Sequence, residues 1–164
     1  MKENRNKSHR GNASQFFVAG ELCRRGFMAV VTMGNCPNTD VLCSDVDGKK
    51  FVHIQVKTFR PGMDKTCMVG MKAEREYGEN FFWILGGIPL PQSGKDFEYY
   101  IIPSKVMAKK VPAEFKDWVS KPGKKKPHDP LNKMRTIHIP WGGKSDTWVS
   151  EYKDKWDLIE EKLR

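Results

Sequence analysis

Read for hydrophobic and polar positions, the chain opens its first periodic stretch at Asn12-Ala13-Ser14-Gln15, a match to a capping box with Asn12 as N-cap and Gln15 at the third helical position. Gly26 is placed to close that helix in a left-handed turn. The spacing predicts a helix over 13–25, with Phe16, Ala19, Gly20 and Cys23 toward the core and Arg24 and Arg25 in the last turn, where cations complement the helix dipole. The apolar run 27–33 then reads as a strand. Gly34-Asn35-Cys36-Pro37-Asn38 reads as a turn, and 39–46 as the hairpin partner. Asp47-Gly48 is the dipeptide of a two-residue type I′ turn, and 51–59 alternates as a strand should.

Beyond Arg60-Pro61-Gly62 the pattern predicts a short strand over 66–71, a helix or loop over 73–80, and strands over 81–88 and 97–102 joined by a Pro/Gly loop. Ser104 is placed to cap a helix over 105–111, which Pro112 ends and restarts through Trp118. The segment 121–127, Lys-Pro-Gly-Lys-Lys-Lys-Pro, is a loop, since Pro, Gly and like charges all oppose regular structure. A strand over 136–139 follows, and Trp148, Tyr152, Trp156, Ile159 and Leu163 keep helical spacing as a core stripe. Residues 1–11 read as a flexible basic arm and 12–164 as a single α/β domain.

Composition narrows the function classes. The 29 Lys and Arg against 20 Asp and Glu give a net charge of +9, which favours polyanionic partners because neutralised phosphates release counterions. The apolar clusters are too short to cross a bilayer and the amino-terminal arm has no apolar segment behind it, so a cytoplasmic location is expected. Cys23, Cys36, Cys43 and Cys67 lack a CxxC pair and zinc-like spacing to any His, and read as free thiols, small and buried except for Cys36, which lies in a turn.

The candidate chemistry lies on 51–59. Alternation sends Val52, Ile54 and Val56 to one face and His53, Gln55 and Lys57 to the other, with Gln55 and Lys57 about 7 Å apart and pointing the same way. A hairpin through Asp47-Gly48 would bring Asp40 beside Gln55. Glu21, four residues after Phe17, is placed near the buried edge of its helix, where an acid needs a partner. Taken singly these are an amphipathic strand, a turn aspartate and a helix acid; in this order they are what metal-assisted phosphodiester hydrolysis needs.

On Glu21, the Pro37-Asn38-Thr39-Asp40 turn and Gln55-Val56-Lys57, residues 12–59 resemble the PD-(D/E)XK nuclease superfamily, with spacing closest to archaeal-type Holliday junction resolvases. The resemblance implies a restriction-endonuclease-like core, a mixed β-sheet flanked by helices in αβββαβ-type order. It also implies an endonuclease acting on branched or duplex DNA, and a homodimer. Gln55 stands where the family usually has an acid. A Mg²⁺ or Mn²⁺ ion is therefore expected on Asp40, Gln55 and the Val56 carbonyl, with Glu21 acting through water, and Lys57 is expected to orient the attacking water and offset negative charge. Arg10 and the rest of the arm, Lys124, Lys125, Lys126, and the segment Trp141 to Lys144 are candidates for phosphate contact, as is Gln15, although its capping role already accounts for it. Two other readings fit the same charge: a nucleic-acid-binding module that keeps the fold without catalysis, and a regulatory subunit whose basic loop meets an acidic partner.

Overall fold

In the computed structural model, which describes residues 7–33, 36–123, 126–141 and 147–164, the alternating segment Phe51–Phe59 forms strand β3, and the other elements are arranged about it. In chain order they are α1 (Lys7–Arg24), β1 (Met28–Val31), β2 (Val41–Ser44), β3, β4 (Thr66–Met68), a 3-10 turn (Met71–Glu74), β5 (Phe81–Gly87), β6 (Glu98–Pro103), α2 (Ser104–Ser120), β7 (Thr136–His138), a 3-10 segment (Trp148–Tyr152) and α3 (Asp157–Leu163). Five strands make a mixed sheet ordered β1-β2-β3-β5-β6, in which only β3 and β5 run parallel; β4 and β7 form a separate antiparallel pair. This is the α/β architecture expected from the sequence, a mixed sheet flanked by helices.

The two faces of β3 feed two cores. Val52, Ile54 and Val56 pack with Phe82 and Ile84 under Val18 and Leu22 of α1 and Trp156, Ile159 and Leu163 of the C-terminal segment. On the other face Phe59, Trp83 and Leu85 pack with Cys67, Ile137, Met107 and Val111, which belong to β4, β7 and α2. Because side chains alternate along a strand, Gln55 and Lys57 belong to this second face and α1 to the first.

Helix α1 departs from the expected one at its start and in its phase. It begins by Lys7, so Asn12 and Gln15 lie inside it rather than forming a capping box, and residues 7–11 are helix rather than arm. Ser14, Val18, Ala19 and Leu22 face the sheet, whereas Phe16 is 64% exposed and Gly20 and Cys23 are exposed. The phase is set by a close approach: the Ser14 side chain rests on Gly86 of β5, where any Cβ would collide with it. The helix end is as expected. Gly26 has φ +92°, Phe27 N–H donates to Leu22 O at 3.2 Å and Gly26 N–H to Cys23 O at 2.9 Å, the paired bonds of a Schellman closure.

Three other expectations change. At Asp47-Gly48 only Gly48 adopts positive φ (+67°), so the hairpin is not type I′; Asp45 Oδ1 accepts the N–H groups of Lys49 (2.7 Å) and Lys50 (3.0 Å) and shapes a wider loop. Helix α2 runs unbroken through Pro112, which forfeits one backbone bond while the flanking turns stay packed, and Ser104 Oγ accepts Tyr77 N–H at 2.7 Å instead of capping. The segment 148–163 is interrupted because it pauses to join β6: Asp154, at φ +53°, donates its N–H to Tyr99 O at 2.8 Å. Cys43 and Cys67 are buried free thiols and Cys36 is exposed in its turn, as expected, but Cys23 is exposed rather than buried. Among the described residues no helix is long and apolar enough to cross a membrane.

Candidate functional site

Strand β2 begins at Val41, opposite Ile54, whereas β3 runs on to Phe59, and Asp40 stands where the β2 pairing gives out. Its backbone is fixed from both sides: Asp40 N–H donates to Ile54 O at 2.8 Å, and Asp40 O accepts Thr32 N–H at 2.9 Å. The turn before it is held by Thr32 Oγ1, which donates to Thr39 O at 2.6 Å, and by Asn38 in a left-handed conformation (φ +67°). Val41 points into the α1 core, so Asp40 points to the opposite face, the face of Gln55 and Lys57.

There the Asp40 carboxylate completes the ladder that β2 no longer supplies. Oδ2 accepts the Val56 N–H at 2.7 Å and also the Gln55 amide N–H. His53 turns its backbone groups toward β5, donating to Asn80 O, and Ile54 turns its own toward β2. By the same alternation Val56 faces β2, so its carbonyl lies along the strand edge that Asp40 occupies. The expected neighbours Asp40, Gln55, Val56 and Lys57 are therefore brought together.

Burial dominates Asp40 and pushes its carboxyl above the ordinary range. The Val56 N–H, Lys57, the Gln55 amide and Lys72 pull in the other direction without overcoming it. Gln55 is 9% exposed and Val56 6%, so the site sits in a partly dry wall with Lys57 at its open side. The Lys57 ammonium lies 5.9 Å from the centre of the Trp83 ring, a residue of β5 on the same face. One member of this surround was missed from sequence. Lys72 lies in the 3-10 turn after β4 and reaches Asp40 only through the tertiary fold. His53 Nδ1, 3.2 Å from Thr39 Oγ1, lines the approach on the face to which the alternation of β3 assigns it.

Glu21 is not among these groups. It lies on the α1 side of the sheet, seven residues beyond Ser14, which is about 10 Å along a helix. Its carboxylate is taken by a forked pair of bonds from Arg24 (2.8 and 2.7 Å) and by one from Arg25 (2.9 Å), and Arg25 continues to Glu160 of α3 at 3.2 Å. The Arg24 bonds, seconded by Arg25, hold its carboxyl below the ordinary range. Gln15, by contrast, follows the Ser14 contact and lies at the end of α1 nearer the Lys57 level of the sheet.

Of the phosphate-contact candidates, Lys124, Lys125, Lys144, Gly142, Gly143 and residues 2–6 lie outside the described residues. Lys126 is exposed in the loop after α2. Trp141 donates its indole N–H to Gly62 O at 3.2 Å and carries the Lys65 ammonium 4.2 Å over its ring. Arg10 lies in α1, within electrostatic reach of Asp64.

The donor set can be tested against a hard divalent ion. Among the described residues no three His, Cys, Asp or Glu side chains cluster to hold a metal. What converges is one carboxylate, one amide and one backbone carbonyl, all oxygen donors suited to Mg²⁺ or Mn²⁺, and a half-turn of the Gln55 amide presents its oxygen where the N–H now points. A carboxyl that burial pushes toward neutrality gains from an approaching cation, so the residues fit such an ion, though with a single formal negative charge.

No protein-family model matches the chain, and no curated protein matches it. Among solved structures it is similar to a bacterial homing endonuclease, I-Ssp6803I, at 12% sequence identity and a TM-score of 0.57, over 96% of this chain and 94% of that one. At that identity the likeness establishes a nuclease-like fold and no more.

Proposed function

We propose that this chain is a metal-dependent endonuclease of the PD-(D/E)XK kind that hydrolyses phosphodiester bonds of DNA. One observation carries the reading: Asp40, Gln55, Val56 and Lys57 meet at a single gap in the sheet edge, within a fold shared along nearly its whole length with a homing endonuclease. The net charge of +9 supplies the attraction for a polyanion.

Asp40, Gln55 and the Val56 carbonyl would hold Mg²⁺ or Mn²⁺, which when bound supplies an activated water and offsets charge at the scissile phosphate. Burial raises the Asp40 carboxyl in the free protein, and a bound cation would favour its ionised form. Gln55 contributes an oxygen without a charge, so ion binding in the free protein is weak and strengthens when substrate oxygens join the site. Lys57, held over Trp83, stabilises negative charge on the phosphate and orients the attacking water. Glu21 takes no part in this chemistry; with Arg25 it fastens α1 to α3.

The test is a cleavage panel of branched, duplex and single-stranded DNA with Mg²⁺ and with Mn²⁺. Cleavage is expected for the wild type and lost in Lys57→Ala and Asp40→Ala, while salt-sensitive DNA binding persists in both. Cleavage retained in both variants would reject the assignment. The lone carboxylate of the site favours a second reading, a binding module without catalysis, and salt-dependent binding with no cleavage under either ion would select it.

A further inference from the structure

Beyond β5 the chain leaves the sheet through a Pro-rich turn, and between that turn and the first half of α1 lies a groove of about 740 Å³. Phe17 of α1 and Phe97, just before β6, stand in it with ring centres 4.6 Å apart, 45% and 44% exposed. Pro89 and Pro91 form a wall with no rotamers to lose on binding. The polar lining is His9, Arg10 and Lys95, and among the described residues no carboxylate lines the groove. Two half-exposed aromatic rings in a cationic groove are the elements of single-strand binding, with ring faces for bases and cations for the backbone.

Its position agrees. Lys57 pairs with Leu85, and Ile88, in the groove wall, lies three residues farther, about 10 Å along the strand, where its N–H donates to Phe59 O. The groove thus opens at the same end of the sheet as the Asp40 site, around the edge on the α1 side. We infer that it takes an unpaired nucleobase of the substrate, stacked on Phe17 and Phe97 with its backbone phosphate on Arg10 and Lys95, so that the preferred substrate is forked or branched DNA. The inference rests on the nuclease reading for the identity of the polyanion. A second copy of the chain is a poorer occupant: a two-fold contact would set His9, Arg10 and Lys95 against their own copies.

The full chain without metal is mixed with a forked oligonucleotide carrying 2-aminopurine at an unpaired position, and with a fully paired control. The wild type is expected to quench the fork's fluorescence. Phe17→Ala/Phe97→Ala, whose rings are half-exposed, is expected to abolish the quench and weaken fork binding about ten- to a hundredfold, leaving duplex affinity and metal-dependent duplex cleavage unchanged. Phe97→Leu, which keeps apolar bulk and removes a ring face, should lose part of the quench with an unchanged melting temperature. Equal quenching and fork affinity in wild type and double variant would overturn the inference. So would a shift in oligomeric state by sedimentation with fork binding intact, which would assign the groove to a second copy. A wild type that stacks the base and cleaves nothing would sink the nuclease reading and leave this one standing.

Discussion

Asp40 and Glu21 are the two acids that the sequence offers for one metal site, and the fold treats them in opposite ways. Asp40 stands in a partly dry gap, bonded to a backbone N–H and an amide, with cations near but no ion pair, and its carboxyl is pushed up. Glu21 sits between two arginines that have already neutralised it, and its carboxyl is pulled down. A carboxylate suited to a metal is one whose charge the protein has left uncompensated, and by that criterion only Asp40 qualifies. Position in the chain could not separate the two, because the deciding groups, Val56 N–H in one case and Arg24 with Arg25 in the other, act through geometry.

The largest effects should break this comparison cleanly. Asp40→Asn and Lys57→Ala should each lower the metal-dependent cleavage rate by roughly a hundred- to a thousandfold, whereas Glu21→Gln should leave it essentially unchanged. A comparable loss in Glu21→Gln would return that acid to the site. Next, Gln55→Glu should tighten Mn²⁺ binding about tenfold, measured by calorimetry, because it doubles the formal charge of the donor set. Unchanged affinity would place Gln55 outside the ion's shell.

The smallest effects have opposite signs. Asp40 has a folded carboxyl above its ordinary 3.8, so ionising it opposes folding: the penalty is absent at low pH and grows as pH rises through the folded value. Asp40→Asn should therefore stabilise at neutral pH, and the gain should vanish in acid. Glu21 is held below its ordinary 4.5, so its contribution is present above that value and lost as pH falls through the folded one. Glu21→Gln should cost roughly 0.5–1 kcal/mol at neutral pH and nothing in strong acid. Thermal melts of both variants across pH read the contrast, and curves of the same sign would contradict it.

What could be read in advance followed local rules. Strand β3 was legible end to end because its alternation is local and its two faces differ in chemistry, and from it followed the placement of Gln55 and Lys57 beside Asp40. Helix α1 was legible in type and C-terminus but not in phase, since Phe16 and Cys23 satisfied the periodicity while the contact of Ser14 on Gly86 decided which side faces inward. Pro112 looked like a helix boundary because its local cost is real, yet packing along α2 outweighs the one lost bond. Lys72 and the partners of Glu21 were out of reach for a common reason: each depends on elements distant in sequence arriving at one place.

The short helix α3 supplies Trp156, Ile159 and Leu163 to the same core that α1 and the even face of β3 begin to build. Synthesis of the chain therefore leaves Val52, Ile54 and Val56 without their final cover until about a hundred further residues have been made. During that interval the nascent protein exposes a half-built apolar sheet face, so a ribosome stalling before Trp156 would release an aggregation-prone fragment rather than a smaller folded domain.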